Sequence, residues 1–115
     1  MIYLKIQGKC ISKDNEKMFN KQGRPFLSSK FKAFAEIVKW QVKQQYKQEP
    51  ITGDIKVDVV FVMKNRVHAD LTNLPKGIFD ALNKLVWKDD RQIKECKLSV
   101  IYGEKEETII FVEEL

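Results

Sequence analysis

The chain has 115 residues, 43% of them apolar and 32% charged, and no apolar run approaches the roughly 20 residues that a membrane-crossing helix needs. That length supports one modest core and not two, so a single domain over residues 1–115 is expected. Lys and Arg outnumber Asp and Glu by 21 to 16, a net charge of +5 that favours polyanionic partners without naming one.

The opening MIYLKIQGKC lacks the basic start, long apolar centre and small-residue cleavage site of a secretory signal, and it reads as a strand over Ile2 to Ile6. Cys10 and Cys96 stand far apart in strand-like stretches with no CxxC spacing, which predicts reduced thiols and a cytoplasmic protein. Residues 12–28, SKDNEKMFNKQGRPFLS, mix Asn, Asp, Gly and Pro with lysine and read as a long loop. Lys13, Lys17, Lys21 and Arg24 are interleaved there with Phe19 and Phe26. Such a loop either lines a nucleic-acid backbone and offers rings for stacking, or is a solvated loop that folds two aromatics into the core.

A helix is predicted from about Ser29 to Gln48, with Phe31, Phe34, Ala35, Val38, Val42 and Tyr46 on one stripe, Ser28 or Ser29 as cap and Pro50 as stop. From Ile51 to Met63 the period becomes two: Ile55, Val57, Val59 and Phe61 alternate with Asp54, Lys56, Asp58 and Val60, as in a half-buried strand. A second helix is expected to start near Thr72 or Asn73, with Pro75 tolerated in its first turn. Its apolar face is Leu74, Ile78, Ala81, Leu82 and Leu85, and its polar face Asn73, Lys76, Asp80, Asn83 and Lys84. After the turn-like KDDR come strands Ile93 to Tyr102 and Thr108 to Val112, joined at Gly103-Glu104. The order strand, helix, strand, helix, strand, strand predicts an α+β domain with a single mixed sheet covered by two helices. Trp40 and Trp87 are expected to pack within it.

Candidate chemistry clusters around the second helix. Asp70 precedes it and Asp89-Asp90 follow it, and magnesium is commonly held by one or two carboxylates with waters and a substrate phosphate. The simpler reading leaves the acidic pair solvated at a turn and pairs Asp80 with Lys76 or Lys84 at i±4. Lys76 is placed to neutralise a phosphate or to remain a solvated helix lysine. His68, the single histidine, shares an extended face with Asp70, which permits a ligand pair or proton transfer, against the bystander role more usual for a lone histidine.

The stretch DLTNLPKGIFDALNKLVWKDDRQI, residues 70–93, resembles the RusA family of Holliday junction resolvases, whose signature runs Asp-x-Asp-Asn-Leu, Lys, Asp-Ala-Leu-Asn and Asp-Asp-x-Gln-Val/Ile. The matching residues are Asp70, Asn73, Leu74, Lys76, Asp80, Ala81, Leu82, Asn83, Asp89, Asp90, Gln92 and Ile93, and upstream GRPFLSSKFKAF looks like the family's Gly-Arg-x-x-x-Ser segment. The resemblance implies a homodimeric, magnesium-dependent endonuclease, with manganese an alternative ion, that cuts two symmetric strands of a four-way DNA junction. It assigns catalysis to Asp70, Lys76 and Asp90, places Asp89 and Thr72 with Asp70 and Asp90 as metal-ligand candidates, and leaves His68 and Asp80 as accessories. DNA contacts are expected from Lys13, Lys17, Lys21, Arg24 and Asn73.

Two departures stand out. Thr72 occupies the place of the second aspartate of the opening motif, and its hydroxyl can ligate magnesium but carries no charge, so His68, Asp89 or a substrate phosphate would have to fill the vacancy. ISKDNEKMFN replaces the family's Pro-rich, Asn-Arg-aromatic segment. Two rival readings follow: a branched-DNA-binding protein that has lost cleavage, and a small RNA-binding module in which the acids are structural.

Overall fold

In the computed structural model, residues 1–13 and 17–115 are described. The elements are β1 (Ile2–Gln7), β2 (Lys17–Phe19), β3 (Pro25–Leu27), α1 (Ser29–Gln45), β4 (Ile55–Met63), α2 (Pro75–Leu82), β5 (Ile93–Tyr102) and β6 (Glu107–Glu114), with a one-turn 3-10 helix at Asp90–Gln92. Four strands make the main sheet in the order β1-β6-β4-β5, and β2 pairs with β3 apart from it. β6 lies antiparallel to both neighbours, while β4 and β5 are parallel, from Ile55 beside Ile93 to Met63 beside Tyr102. Parallel neighbours need a long crossover, and residues 64–92 supply it with α2 in the middle.

The alternation of β4 is realised: Ile55, Val57, Val59 and Phe61 are all buried. They meet Val38 and Val42 of α1, Ile78, Ala81 and Leu82 of α2, and Leu4 and Ile110 from β1 and β6 in one core. Both predicted helix stripes therefore point where their periodicity requires, and the mixed sheet with two helices is the observed architecture. Ser28 caps α1 by accepting the Phe31 N–H at 3.1 Å. The helix ends at Gln45, because Tyr46 turns to an extended conformation and donates its hydroxyl to the Glu49 carbonyl at 2.7 Å.

One edge of the sheet is sealed by side chains. Gln45 of α1 accepts the Lys5 N–H at 2.8 Å and donates to the Lys5 carbonyl at 2.7 Å, and Gln41, one turn earlier, does the same for Gln7 at 2.8 and 3.2 Å. Two amides spaced i, i+4 thus satisfy backbone groups that an edge strand otherwise leaves open.

Three expectations change. The loop over 12–28 contains the β2–β3 hairpin, in which Asn20 Oδ1 accepts the N–H groups of Gln22 and Arg24 at 3.0 and 2.9 Å and Gly23 takes a positive φ of 76°. α2 begins at Pro75, with Leu74 and no side chain at the cap, because the Leu74 N–H that a Thr72 cap would need bonds the Asp70 carbonyl at 3.2 Å and Pro75 has no N–H to give. Trp87 is fully buried as expected, but Trp40 is 64% exposed on the outer face of α1.

Candidate active site

The Asp70 end of the crossover is a tight turn beneath an exposed surface. Asp70, Thr72 and Lys76 are exposed, Asn73 is half-buried, and Leu74 and Pro75 behind them are buried. The turn is anchored from below: Cys10 Sγ lies 3.6 Å from the Leu74 carbonyl, and burial pushes that thiol up to about 12, which leaves it an inert packing group. Lys9 Nζ donates to the Val67 carbonyl at 2.7 Å and holds the preceding loop.

α1 and α2 meet beside this turn at Gly77. A Cβ there would lie 2.8 and 2.9 Å from the Phe31 ring, so glycine is required for the close approach, and it fixes the helix that presents Lys76. Asp80, one turn on, pairs with Lys13 at 2.6 Å, a partner far away in sequence. Lys13 is thereby tied to α2 by its charge, and both side chains remain partly exposed, so the pair orients the loop more than it stabilises the fold.

His68 is held rather than pendant. Its Nδ1 is 2.8 Å from the Ala69 carbonyl, which only accepts, so Nδ1 carries a proton and in the neutral ring Nε2 accepts from the Tyr102 hydroxyl at 3.0 Å. Arg66 stacks over the same Tyr102 ring at 4.8 Å. These contacts tie the loop before Asp70 to the last residue of β5.

At the other end, the Asp-Asp-x-Gln segment is knitted into the fold. Asp89 accepts the Arg91 N–H at 2.8 Å and pairs with its guanidinium at 3.2 Å, and this Arg91 contact holds the Asp89 carboxyl below the usual carboxylate range. Gln92 accepts the Asp89 N–H at 2.8 Å and donates at 2.8 Å to the carbonyls of both Ile51 and Gly53. Asp90 Oδ1 accepts the indole N–H of Trp87 at 2.8 Å, and Trp87 packs edge-on against Phe79 of α2. Sequence reasoning missed these structural duties of Gln92 and Gly77, since their partners Ile51, Gly53 and Phe31 are distant in the chain.

Asp70 and Asp90 therefore enter from opposite ends of the β4-α2-β5 unit. Among the described residues no three of His, Cys, Asp and Glu converge as ligands. The donors at the Asp70 turn, one carboxylate and the Thr72 hydroxyl, are the hard oxygens that magnesium takes beside its own waters and a substrate phosphate. Lys21 and Arg24 project from the exposed hairpin, while the Lys17 side chain lies outside the described residues.

A family model described as Endodeoxyribonuclease RusA matches residues 7–113. The chain belongs to the RusA endodeoxyribonuclease family. The crossover junction endodeoxyribonuclease RusA of Aquifex aeolicus (strain VF5) is 28% identical over 86 residues, covering 74% of this chain and 68% of that protein. The uncharacterized protein YqaN of Bacillus subtilis (strain 168) is 26% identical over 108 residues, covering 76% of each chain. Membership in RusA supports nuclease chemistry at the level of the family, and no helix among the described residues is long and apolar enough to cross a membrane.

Proposed function

We propose that this chain is a magnesium-dependent, structure-specific DNA endonuclease that binds four-way junctions as a homodimer and cuts two symmetric strands. The observation that carries the reading is the RusA match over residues 7–113, which spans every residue named at both ends of α2. A junction with two-fold symmetry calls for two sites related by the same operator, and a homodimer supplies them.

In this reading Asp70 and Thr72 would hold the ion beside its waters and a substrate phosphate, and Asp90, bound to the Trp87 indole at the opposite end of the unit, is the second catalytic carboxylate, one that the fold of a single chain does not bring to that ion. A bound Mg2+ supplies a Lewis acid for the phosphodiester and a water acidic enough to attack near neutral pH, and Mn2+ serves the same oxygen donors. Lys76, exposed on the first turn of α2, neutralises charge on the phosphate. Asn73 and the hairpin cations Lys17, Lys21 and Arg24 position the DNA backbone, and Lys13 braces the hairpin through Asp80.

The test is incubation of purified protein with a labelled four-way junction and a matched linear duplex, with and without magnesium, read on a denaturing gel. Paired symmetric nicks confined to the junction and dependent on metal are expected. Thr72 motivates one second reading, a binding protein that no longer cuts. Tight junction binding without nicks, with cleavage gained in Thr72→Asp, would establish that reading instead. The RNA-binding alternative draws no support from the family match.

A further inference from the structure

The β2–β3 hairpin presents apolar groups on both of its faces. Met18 opposes Phe26 on one face and Phe19 opposes Pro25 on the other. Phe19 is 69% exposed, Met18 49% and Phe26 41%, so the ribbon does not fold its aromatics into the core. Single exposed apolar residues are ordinary, but a two-stranded ribbon with rings open on both sides is a surface waiting to be covered.

Charge says what covers it. From Lys17 to Lys32 the sequence KMFNKQGRPFLSSKFK holds five cations and no acid. Lys21 and Arg24 lie in the turn, where the Asn20 bonds and the positive φ of Gly23 fix the backbone. Rings flanked by fixed cations suit stacked bases between phosphates, because every base has an apolar face and each phosphate a negative charge.

Position says where it acts. Both feet of the hairpin stand on α2: Lys13 is bound to Asp80 on one side, and on the other Ser28 caps α1 where Phe31 abuts Gly77. The two flanks of the hairpin are thus tied to α2, the helix whose first turn carries Lys76.

We propose that this hairpin is a wedge whose Phe19 stacks on bases exposed at the branch point of DNA, with Met18 and Phe26 covering the opposite side. The proposal rests on the junction-binding reading above and adds to it the part that distinguishes a branch from a duplex. In linear DNA the bases are already stacked and offer no face. At a branch the duplex is discontinuous and the last pairs open at low cost, so an inserted ring can unstack a crossover base and take the place of its neighbour.

The test uses four-way junctions carrying 2-aminopurine beside the crossover, and compares wild type with Phe19→Ala and Phe19→Trp. At 69% exposure Phe19 is removable without opening the core. Wild type should raise the 2-aminopurine fluorescence on binding. Phe19→Ala should abolish that rise and weaken junction binding about tenfold, as loss of one base-stacking ring does, with duplex binding within about twofold. Phe19→Trp should restore both, and a junction built with mismatched bases at the crossover should restore binding by Phe19→Ala. If wild type prefers junctions but fluorescence is unchanged, or if Phe19→Ala matches wild type, the wedge is wrong while the junction reading stands. A wild type that binds junction and duplex equally overturns both.

Discussion

The two ends of α2 carry the two halves of one motif, yet they are built in opposite ways. At the Asp89–Gln92 end nearly every polar group has a partner: Asp89 caps and binds Arg91, Gln92 bridges to Ile51 and Gly53, and Asp90 holds the Trp87 indole. At the Asp70 end the backbone closes the turn through the Asp70 carbonyl, and Asp70, Thr72 and Lys76 face solvent. A recurring string of acids and amides is therefore not a string of equivalent site residues. One half is mostly a clamp that carries one carboxylate, and the other is mostly presentation.

Substitutions that separate charge from shape break or sharpen this contrast. The largest effect is expected from Asp70→Asn: at least about a 100-fold loss of junction cleavage, beyond what even outer supports of a metal cost, with affinity nearly unchanged in gel-shift titrations. Asp90→Asn should lose cleavage comparably while the melting temperature holds, because an asparagine oxygen still accepts the Trp87 N–H. Retained cleavage would make Asp90 part of the clamp and nothing more.

Stability effects come next. Gly77→Ala forces a methyl against the Phe31 ring and should cost about 1–3 kcal/mol in denaturant unfolding, loosening the Asp70 end. Gln92→Ala removes three hydrogen bonds from the opposite end and should cost about 2 kcal/mol by the same measurement.

The smallest effect is electrostatic. Arg91 lowers the Asp89 carboxyl in the folded chain, whereas an unfolded aspartate titrates near pH ~3.9. The unfolded state then binds more protons in the interval between, so this contribution is present above about pH 4 and fades as pH falls through the lowered folded value. Thermal melts of wild type and Asp89→Asn, which keeps a capping side chain, should differ near neutrality and converge in acid.

The long elements were legible because their periodicities are long. The alternation of β4 holds from Ile55 to Phe61, and the stripe of α1 runs from Phe31 to Tyr46. The hairpin escaped notice because three-residue strands are too short to display a period and both its faces are exposed. The expected cap at Thr72 or Asn73 failed for a local reason: the Asp70 carbonyl takes the Leu74 N–H that a Thr72 cap would need, and Pro75 has no N–H to give to either. Asp80 found Lys13 instead of an expected helix neighbour because the loop before the hairpin folds back on α2. At the candidate site, the acids and Lys76 stood out as residue types, but Gly77 and Gln92 act through Phe31, Ile51 and Gly53, and no spacing along the chain announces those meetings.

The glutamine seal on β1 gives the sheet a direction of growth. With Gln41 and Gln45 occupying the hydrogen-bonding positions beside Lys5 and Gln7, a strand arriving from another molecule finds that border already taken. β5 is the opposite border, and its ten residues run from Ile93, three positions past Asp90, to Tyr102, whose hydroxyl holds His68. Whatever extends this sheet must therefore do so alongside the strand that links the two ends of α2, and register along that border translates directly into the placement of both.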